Sequence, residues 1–333
     1  MEEEAEAVAA TFGRDGVAML RGALDKETAA AARRFVEKTL EASLARVDSR
    51  QATDGDLFGA TAPPDKGYSI GGGNFHGSAN RWNVLLPIDD DSGGGGGDAT
   101  GAGAAAGEGA PNPVRRALAQ MLRSGAPTRE VLDRVFGARV RDRAVLCDLS
   151  ALVAGVGTSD QRLHFDTRHS DSEESEGDGD GDGEGDGGGG ACAGERGEGR
   201  RPAAARRPRR LVQVFVALQD VSHEMAPTLM VARTNTARAH DAVHEALGKE
   251  QDAVLAAFER GGMRCAPMAA GDLVFMDSRT LHKGTANASG RVRAMLDFAF
   301  VDPLHIPGTY CGCVLEELGE RQLRLSDADV WAA

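Results

Sequence analysis

Two tracts that cannot enter a core set the first limit on what this chain can fold into. Residues 91–110 (DSGGGGGDATGAGAAAGEGA) hold 9 of the 44 glycines, and residues 169–210 hold another 12 together with 11 acidic and 7 basic side chains. Neither can bury enough apolar surface to offset its ordering entropy. Both read as irregular low-complexity insertions in a single domain spanning 1–333. The remainder, roughly 270 residues, has the size of one large domain and is apolar enough to bury a core. Its longest strongly apolar run, LVQVFVAL at 211–218, is far shorter than the roughly 20 residues of a membrane-spanning helix.

Charge and cysteine usage narrow the class further. Lys+Arg total 38 against 51 Asp+Glu, a formal net charge of -13. That balance argues against nucleic acid as the main partner, because phosphate contacts need basic surface. The arginines at 200, 201, 206, 207, 209 and 210 read as neutralising the acidic half of their tract, or as solvated. Cys147, Cys192, Cys265, Cys311 and Cys313 are odd in number and scattered, so a reducing compartment is expected and a disulfide framework is not. The acidic start, MEEEAEAVAATF, resembles no targeting segment, and a cytoplasmic location is the expectation.

Periodicity gives a coarse map. A strand is expected within 14–23, preceded by a loop, and then a helix over 24–47 capped by Asp25. A strand at 81–88 follows a loop-like stretch, and helices are expected at 113–124 and 127–136. From residue 140 onward short strands dominate: 143–153, 161–167, 210–221, 228–233, 263–267, 272–277, 281–285 and 291–301. One helix, roughly 237–259, interrupts them. Eight short strands behind a helical start imply an α+β protein with a double-sheet jelly-roll core.

The chemistry concentrates in QRLHFDT at 161–167. On a strand, His164 and Asp166 point to the same face. Alone, that pair is weak evidence, and a buried His bonded to a neighbouring Asp is the simpler reading. Support comes from GDLVFMDSRTLHKGTANASGRVRAMLDFAF, where His282 follows an apolar strand and Arg293 lies eleven positions beyond it. His, Asp and His with open positions form the facial triad of non-haem Fe(II) oxygenases. An arginine near such a triad can hold a distal carboxylate in a bidentate grip. Arg291 and Arg293 share one strand face, with Val292 on the other.

These stretches resemble the phytanoyl-CoA dioxygenase family of Fe(II)/2-oxoglutarate-dependent oxygenases. The resemblance is carried by QRLHFDT at 161–167, LVQVFVALQDV at 211–221, GDLVFMDSRTLH at 271–282, the run HKGTANASGRVR at 282–293, and the opening segment at 13–46. It implies a double-stranded β-helix (jelly-roll) core with flanking N-terminal helices. It also implies Fe(II) on His164, Asp166 and His282, 2-oxoglutarate on Arg293, and dioxygen as the oxidant. Phe215 and Gln161 are further candidates for the co-substrate site, with the face Gln213–Phe215–Ala217 turned inward. The expected activity is hydroxylation of a small organic substrate. The alternatives are a metal-binding β-helix without turnover, or an interaction scaffold that uses the 169–210 loop.

Other side chains are weaker candidates. Tyr68, His76, Arg81 and Trp82 sit in or beside a Gly-rich stretch and could line a pocket mouth. Thr167, Arg168 and His169 follow the metal strand. His240 and His244 share a helix face without a third ligand and read as surface residues. Cys311 and Cys313 are too isolated for a zinc site.

Overall fold

The computed structural model describes residues 2–49, 51, 57–58, 80–89, 111–161, 163–167, 211–245, 263–264, 267–305 and 313–332. The tracts 91–110 and 169–210 lie outside them. The described chain is a mixed helix–sheet fold built on antiparallel sheets.

Six strands make the large sheet: β1 (Val17–Leu20), β2 (Arg81–Leu85), β3 (Val145–Ala154), β4 (Leu211–Ala217), β7 (Leu273–Asp277) and β9 (Arg293–Val301). Their order is β1-β7-β4-β9-β3-β2. The small sheet has β5 (Thr228–Val231) between β6 (Met263–Arg264) and β8 (His282–Gly284). Alternation along the large sheet sorts its side chains. Val212, Val214, Val216, Leu296, Phe298 and Phe300 face the helices and share the main core with them. Phe215, Ala217, Val274, Met276 and Met295 face the other way and cluster with Met230 of the small sheet.

Helix α1 (Glu2–Asp15), α2 (Lys26–Asp48), α3 (Pro113–Leu122) and α4 (Pro127–Phe136) supply the outer layer. Asp25 does cap α2, its Oδ1 accepting the Thr28 N–H at 2.8 Å. Asn112 caps α3 in the same way, accepting from Val114 N at 2.8 Å, with Pro113 in the first turn.

Three expectations need correction. The residues before 14 are the helix α1, not a loop, and its three acidic residues in the first turn suit the positive end of the helix dipole. The stretch 161–167 is not a strand. His164 pairs with His282, each N–H donating to the other's carbonyl at 3.0 and 2.9 Å. At the next step Gln161 N donates to the Gly284 carbonyl at 2.8 Å. The one-residue slip breaks the ladder. The Gly284 N–H is taken instead by the Gln161 side-chain oxygen at 2.7 Å. Finally, of the helix expected at 237–259, only α5 (Ala237–Glu245) falls among the described residues.

The end of α1 is pinned by charge. Asp15 accepts from Arg14 at 2.8 and 3.0 Å and from Arg233 Nε at 3.0 Å, and its carbonyl takes the Arg233 N–H at 2.7 Å. The Arg14 hydrogen bond comes first among the causes that hold the Asp15 carboxyl at about 2, below the ordinary 3.8; burial opposes it and Arg233 reinforces it. A depressed folded-state pKa adds stability that is present above the unfolded value and is lost as the carboxyl protonates. Wild-type protein should therefore lose urea resistance as pH falls from about 4 to about 2, and Asp15→Asn should lose less over that window. Parallel slopes for the two proteins would count against this anchor.

Candidate metal centre

The small sheet brings the three predicted ligands together. His164, Asp166 and His282 each offer one ligand atom, and these atoms lie within 4.8 Å of one another. His164 Nε2 is 3.6 Å from Asp166 Oδ1, and His282 Nε2 is 3.5 Å from Asp166 Oδ2. The two rings are 4.2 Å apart between centroids. Adjacent donors on an octahedral ion with bonds of about 2.1 Å sit about 3 Å apart, so the cluster can close on one divalent metal with small side-chain shifts.

The sequence around His282 holds its ring in one orientation. Nδ1 lies 2.9 Å from the Thr280 carbonyl, which can only accept. Nδ1 therefore carries the proton and Nε2 is left to bind a metal. Thr280 is fixed in turn, its hydroxyl donating to the Gly16 carbonyl at 3.0 Å. The same carbonyl takes the Asp277 N–H at 2.9 Å. Gly16 has φ +72, and a Cβ there would sit 2.7 Å from the Thr280 hydroxyl and 2.6 Å from Asn235 Cγ, so no larger residue fits. Arg279 clamps Asp277 with Nε and Nη2 at 2.9 and 2.8 Å, a buried fork that closes the turn leading to His282.

His240 is not a surface residue. It is buried, its ring stacks on Phe165 at 3.8 Å between centroids, and its Nε2 bonds the Arg279 carbonyl at 2.9 Å. The residue lying between His164 and Asp166 in sequence thus rests on a helix-borne imidazole. Periodicity places His240 on α5 but cannot say that this face packs against the metal loop.

Near the ligand cluster, beside Gly284 of β8, the large sheet carries two buried arginines. Arg293 and Arg81 flank Ala154, one on each neighbouring strand. Arg293 is 1% exposed and Arg81 4%. Arg293 donates to the Ala226 carbonyl at 2.7 Å and to that of Leu152 at 3.4 Å. Arg81 donates to the carbonyls of Thr285 and Ser159 at 2.8 and 3.0 Å. Among the described residues the Nε of each has no hydrogen-bond partner and neither forms a salt bridge. Burial pulls Arg293 down to about 9, with the Arg81 charge adding to it, and pulls Arg81 down to about 10 against the opposing charge of Asp160. Buried cations without a counter-charge make a place for an anion. Arg291, by contrast, is exposed and reaches only the Met225 sulfur, at 3.9 Å.

The run HKGTANASGRVR sets the step between ligand and arginine. Asn287 Nδ2 donates to the carbonyls of Ala154 and Arg291 at 2.9 and 2.8 Å, while its Oδ1 accepts from Ser289. Gly284 lies where a Cβ would meet Arg81 Nη1 at 2.4 Å and Gln161 Oε1 at 2.6 Å. Gln161 thus sits beside Arg81, its oxygen engaged by Gly284. Phe215 is buried on the inward face and lines a cavity of about 470 Å³ with Met230, Val274 and Met295. Met230 is the cross-strand partner of His282, so the cavity runs beside the ligand cluster.

Among the remaining candidates, Thr167 is buried with its hydroxyl 2.6 Å from that of Ser278, and Trp82 packs against the main core. Tyr68, His76, Arg168, His169, the side chain of His244 and Cys311 lie outside the described residues. Cys147 and Cys313 are thiols. No described helix is long and apolar enough to cross a membrane.

Comparison with known proteins agrees with the motifs. Residues 196–295 match the model of the phytanoyl-CoA dioxygenase (PhyH) family, a stretch that includes His282 and Arg293. No curated protein matches the chain in sequence. Among solved structures, the non-heme α-ketoglutarate-dependent carbocyclase SnoK from nogalamycin biosynthesis shares 16% identity, over 89% of this chain and 83% of that one, with a TM-score of 0.47. The epimerase SnoN of the same biosynthesis shares 15% over 91% and 82%, with a TM-score of 0.46. AviO1 from Streptomyces viridochromogenes Tue57 shares 15% over 91% and 96%, with a TM-score of 0.42. Over residues 196–295 the chain is thus similar to the phytanoyl-CoA dioxygenase family, which its HxD, His282 and Arg293 motifs also resemble.

Proposed function

We propose that the protein is an Fe(II)- and 2-oxoglutarate-dependent dioxygenase that hydroxylates a small organic substrate. One observation carries the reading. Two histidines and a carboxylate converge on one point, and the inward face beyond them ends in two buried guanidiniums with no carboxylate partner among the described residues. A metal-binding module without turnover has no use for that second feature. The two antiparallel sheets support the reading too, and we take them as the two layers of a jelly-roll (double-stranded β-helix) core.

The donor set suits a divalent iron. His164, Asp166 and His282 would hold it and leave coordination positions open. When bound, iron would activate dioxygen, the oxidant, for C–H hydroxylation, with 2-oxoglutarate giving two electrons and leaving as succinate and carbon dioxide; one oxygen atom ends in the alcohol and the other in succinate. This chain's residues orient and shield. The Thr280 carbonyl keeps the His282 Nε2 lone pair toward the metal. Arg293, with Arg81 beside it, pairs the distal carboxylate where water is scarce. Phe215 and Met295 keep the passage between the two ends dry.

The test is a screen of small molecules with Fe(II), ascorbate and 2-oxoglutarate, reading succinate. Substrate-stimulated succinate that needs both His282 and Arg293 is the expected result. Succinate that forms equally in a His282→Ala protein, or never exceeds the metal-only background, would overturn the reading.

A further inference from the structure

We propose that a diagonal row of buried polar side chains on the inward face of the large sheet, Gln213, Asp297, Ser150 and Asn83, receives the hydroxyl groups of a polyhydroxylated substrate beside the metal centre. The proposal deepens the oxygenase reading and rests on it.

The strand register makes these four residues a row. Ser150 and Asp297 are direct cross-strand partners on β3 and β9. Gln213 on β4 pairs with Ala299, two residues beyond Asp297, and Asn83 on β2 pairs with Leu152, two residues beyond Ser150. Asp297 and Ser150 thus face each other directly, with Gln213 and Asn83 as their diagonal neighbours on the two outer strands. All four are at least nine-tenths buried, and Asn83 Oδ1, Ser150 Oγ, Gln213 Oε1 and Asp297 Oδ1 have no hydrogen-bond partner among the described residues. Native folds satisfy nearly all such atoms. Four on one face mark a surface shaped for something the chain itself does not supply.

Backbone hydrogen bonds tie the Gln213 end of the row to the ligand loop. Asp166 N donates to the Ser278 carbonyl at 3.0 Å, and Ser278 N donates to that of Leu211 at 3.1 Å. Leu211 pairs with Val301, at the opposite end of β9 from Arg293. Asp297 stands midway, about 13 Å along the strand from Arg293. The Asp166 charge reaches Asp297, as does that of Asp148. The apolar cavity abuts the row, since Phe215 is the cross-strand partner of Asp297.

The chemistry of the row selects the ligand. Three of the four open atoms are carbonyl or carboxyl oxygens that can accept, and Ser150 can accept or donate. A phosphate or carboxylate over the middle of the row would meet acceptors, and the nearest guanidinium, Arg81 two residues from Asn83, belongs to the co-substrate end. Three inter-strand steps of about 4.8 Å spread the row over about 14 Å, too far for a single ammonium group. Several hydroxyls carried on one ring or chain match both the spacing and the donor requirement.

The test uses full-length protein loaded with Fe(II) and 2-oxoglutarate under argon. The probes are methyl glucopyranoside and myo-inositol, with decanoate and choline as the apolar and cationic controls. Binding is read by calorimetry and by perturbation of the metal-to-ligand charge-transfer band. Saturable binding of a polyol but of neither control is expected. In Asp297→Leu that affinity should fall at least tenfold while 2-oxoglutarate affinity holds. The melting temperature should rise, because an unsatisfied buried carboxyl has been replaced by an apolar group. Ser150→Ala, which removes one hydroxyl and should fold without difficulty, should weaken the polyol several-fold. Polyol binding unchanged in both variants would overturn the proposal. So would a lower melting temperature with intact binding, which would mark Asp297 as purely structural. A charge-transfer band that forms normally while neither polyol binds would remove the substrate class and leave the oxygenase reading standing. Absence of the band would remove both.

Discussion

Asp166→Ala should abolish tight Fe(II) binding and, with it, succinate formation, leaving the fold intact. Asp166 is the only anion in the ligand cluster and is placed between the two imidazoles, 3.6 and 3.5 Å from their Nε2 atoms. Without it a dication would be held by two neutral rings alone. Changes to residues that merely orient ligands already cost about 10–100-fold in affinity, so loss of a charged ligand should cost more than about a hundredfold. Stability of the metal-free protein should not fall. The Asp166 side chain is 21% exposed and no described cation pairs with it apart from the histidines. Anaerobic Fe(II) titration with metal quantification, beside an apo-protein melt, separates the two effects. Retention of one tightly bound iron per chain in Asp166→Ala would dismiss this cluster as the iron site.

The second large effect concerns the co-substrate. Arg293→Leu should weaken 2-oxoglutarate binding by roughly 3–5 kcal/mol, the cost of breaking a buried charge pair, or about two to three and a half orders of magnitude in Kd. Fe(II) affinity should survive, because none of the three ligands stands on the strand of Arg293. Arg291→Leu should do little, since that side chain is exposed and touches only the Met225 sulfur. The metal-free Arg293→Leu protein should be no less stable than wild type, because a buried guanidinium without an anion is itself a cost. Titrating both variants with 2-oxoglutarate under anaerobic Fe(II), and following the charge-transfer band, decides the matter. Wild-type affinity in Arg293→Leu would withdraw the best support for the oxygenase reading.

What could be read from sequence was whatever depends on neighbours along the chain. The α2 pattern and its Asp25 cap are local, as are the alternation in β4, β7 and β9 and the eleven-residue step from His282 to Arg293. Helix α1 escaped because EEEAEAVAATFGRD has little apolar contrast: only Ala5, Phe12 and Asp15 are buried along it. The break in 161–167 escaped because a side-chain amide, Gln161, replaces a backbone acceptor there. The roles of His240, Arg81 and Asp297 escaped for another reason. Each depends on which strand or loop lies opposite, and alternation gives a side chain's face without naming its neighbour.

The support of His282 by Gly16 bears on when the site can exist. The His282 turn hangs from the carbonyl of a residue near the amino terminus, while β1, just after it, pairs with β7 (Val17 opposite Met276). The ligands themselves are 118 positions apart, from His164 to His282, so the contacts that shape the centre span much of the chain. Closures of that span come late in folding, after local helices and hairpins. During synthesis the amino-terminal helices emerge long before their partners at 273–284 leave the ribosome. A metal therefore finds the full ligand set only once the segment around His282 has docked on the rest of the chain.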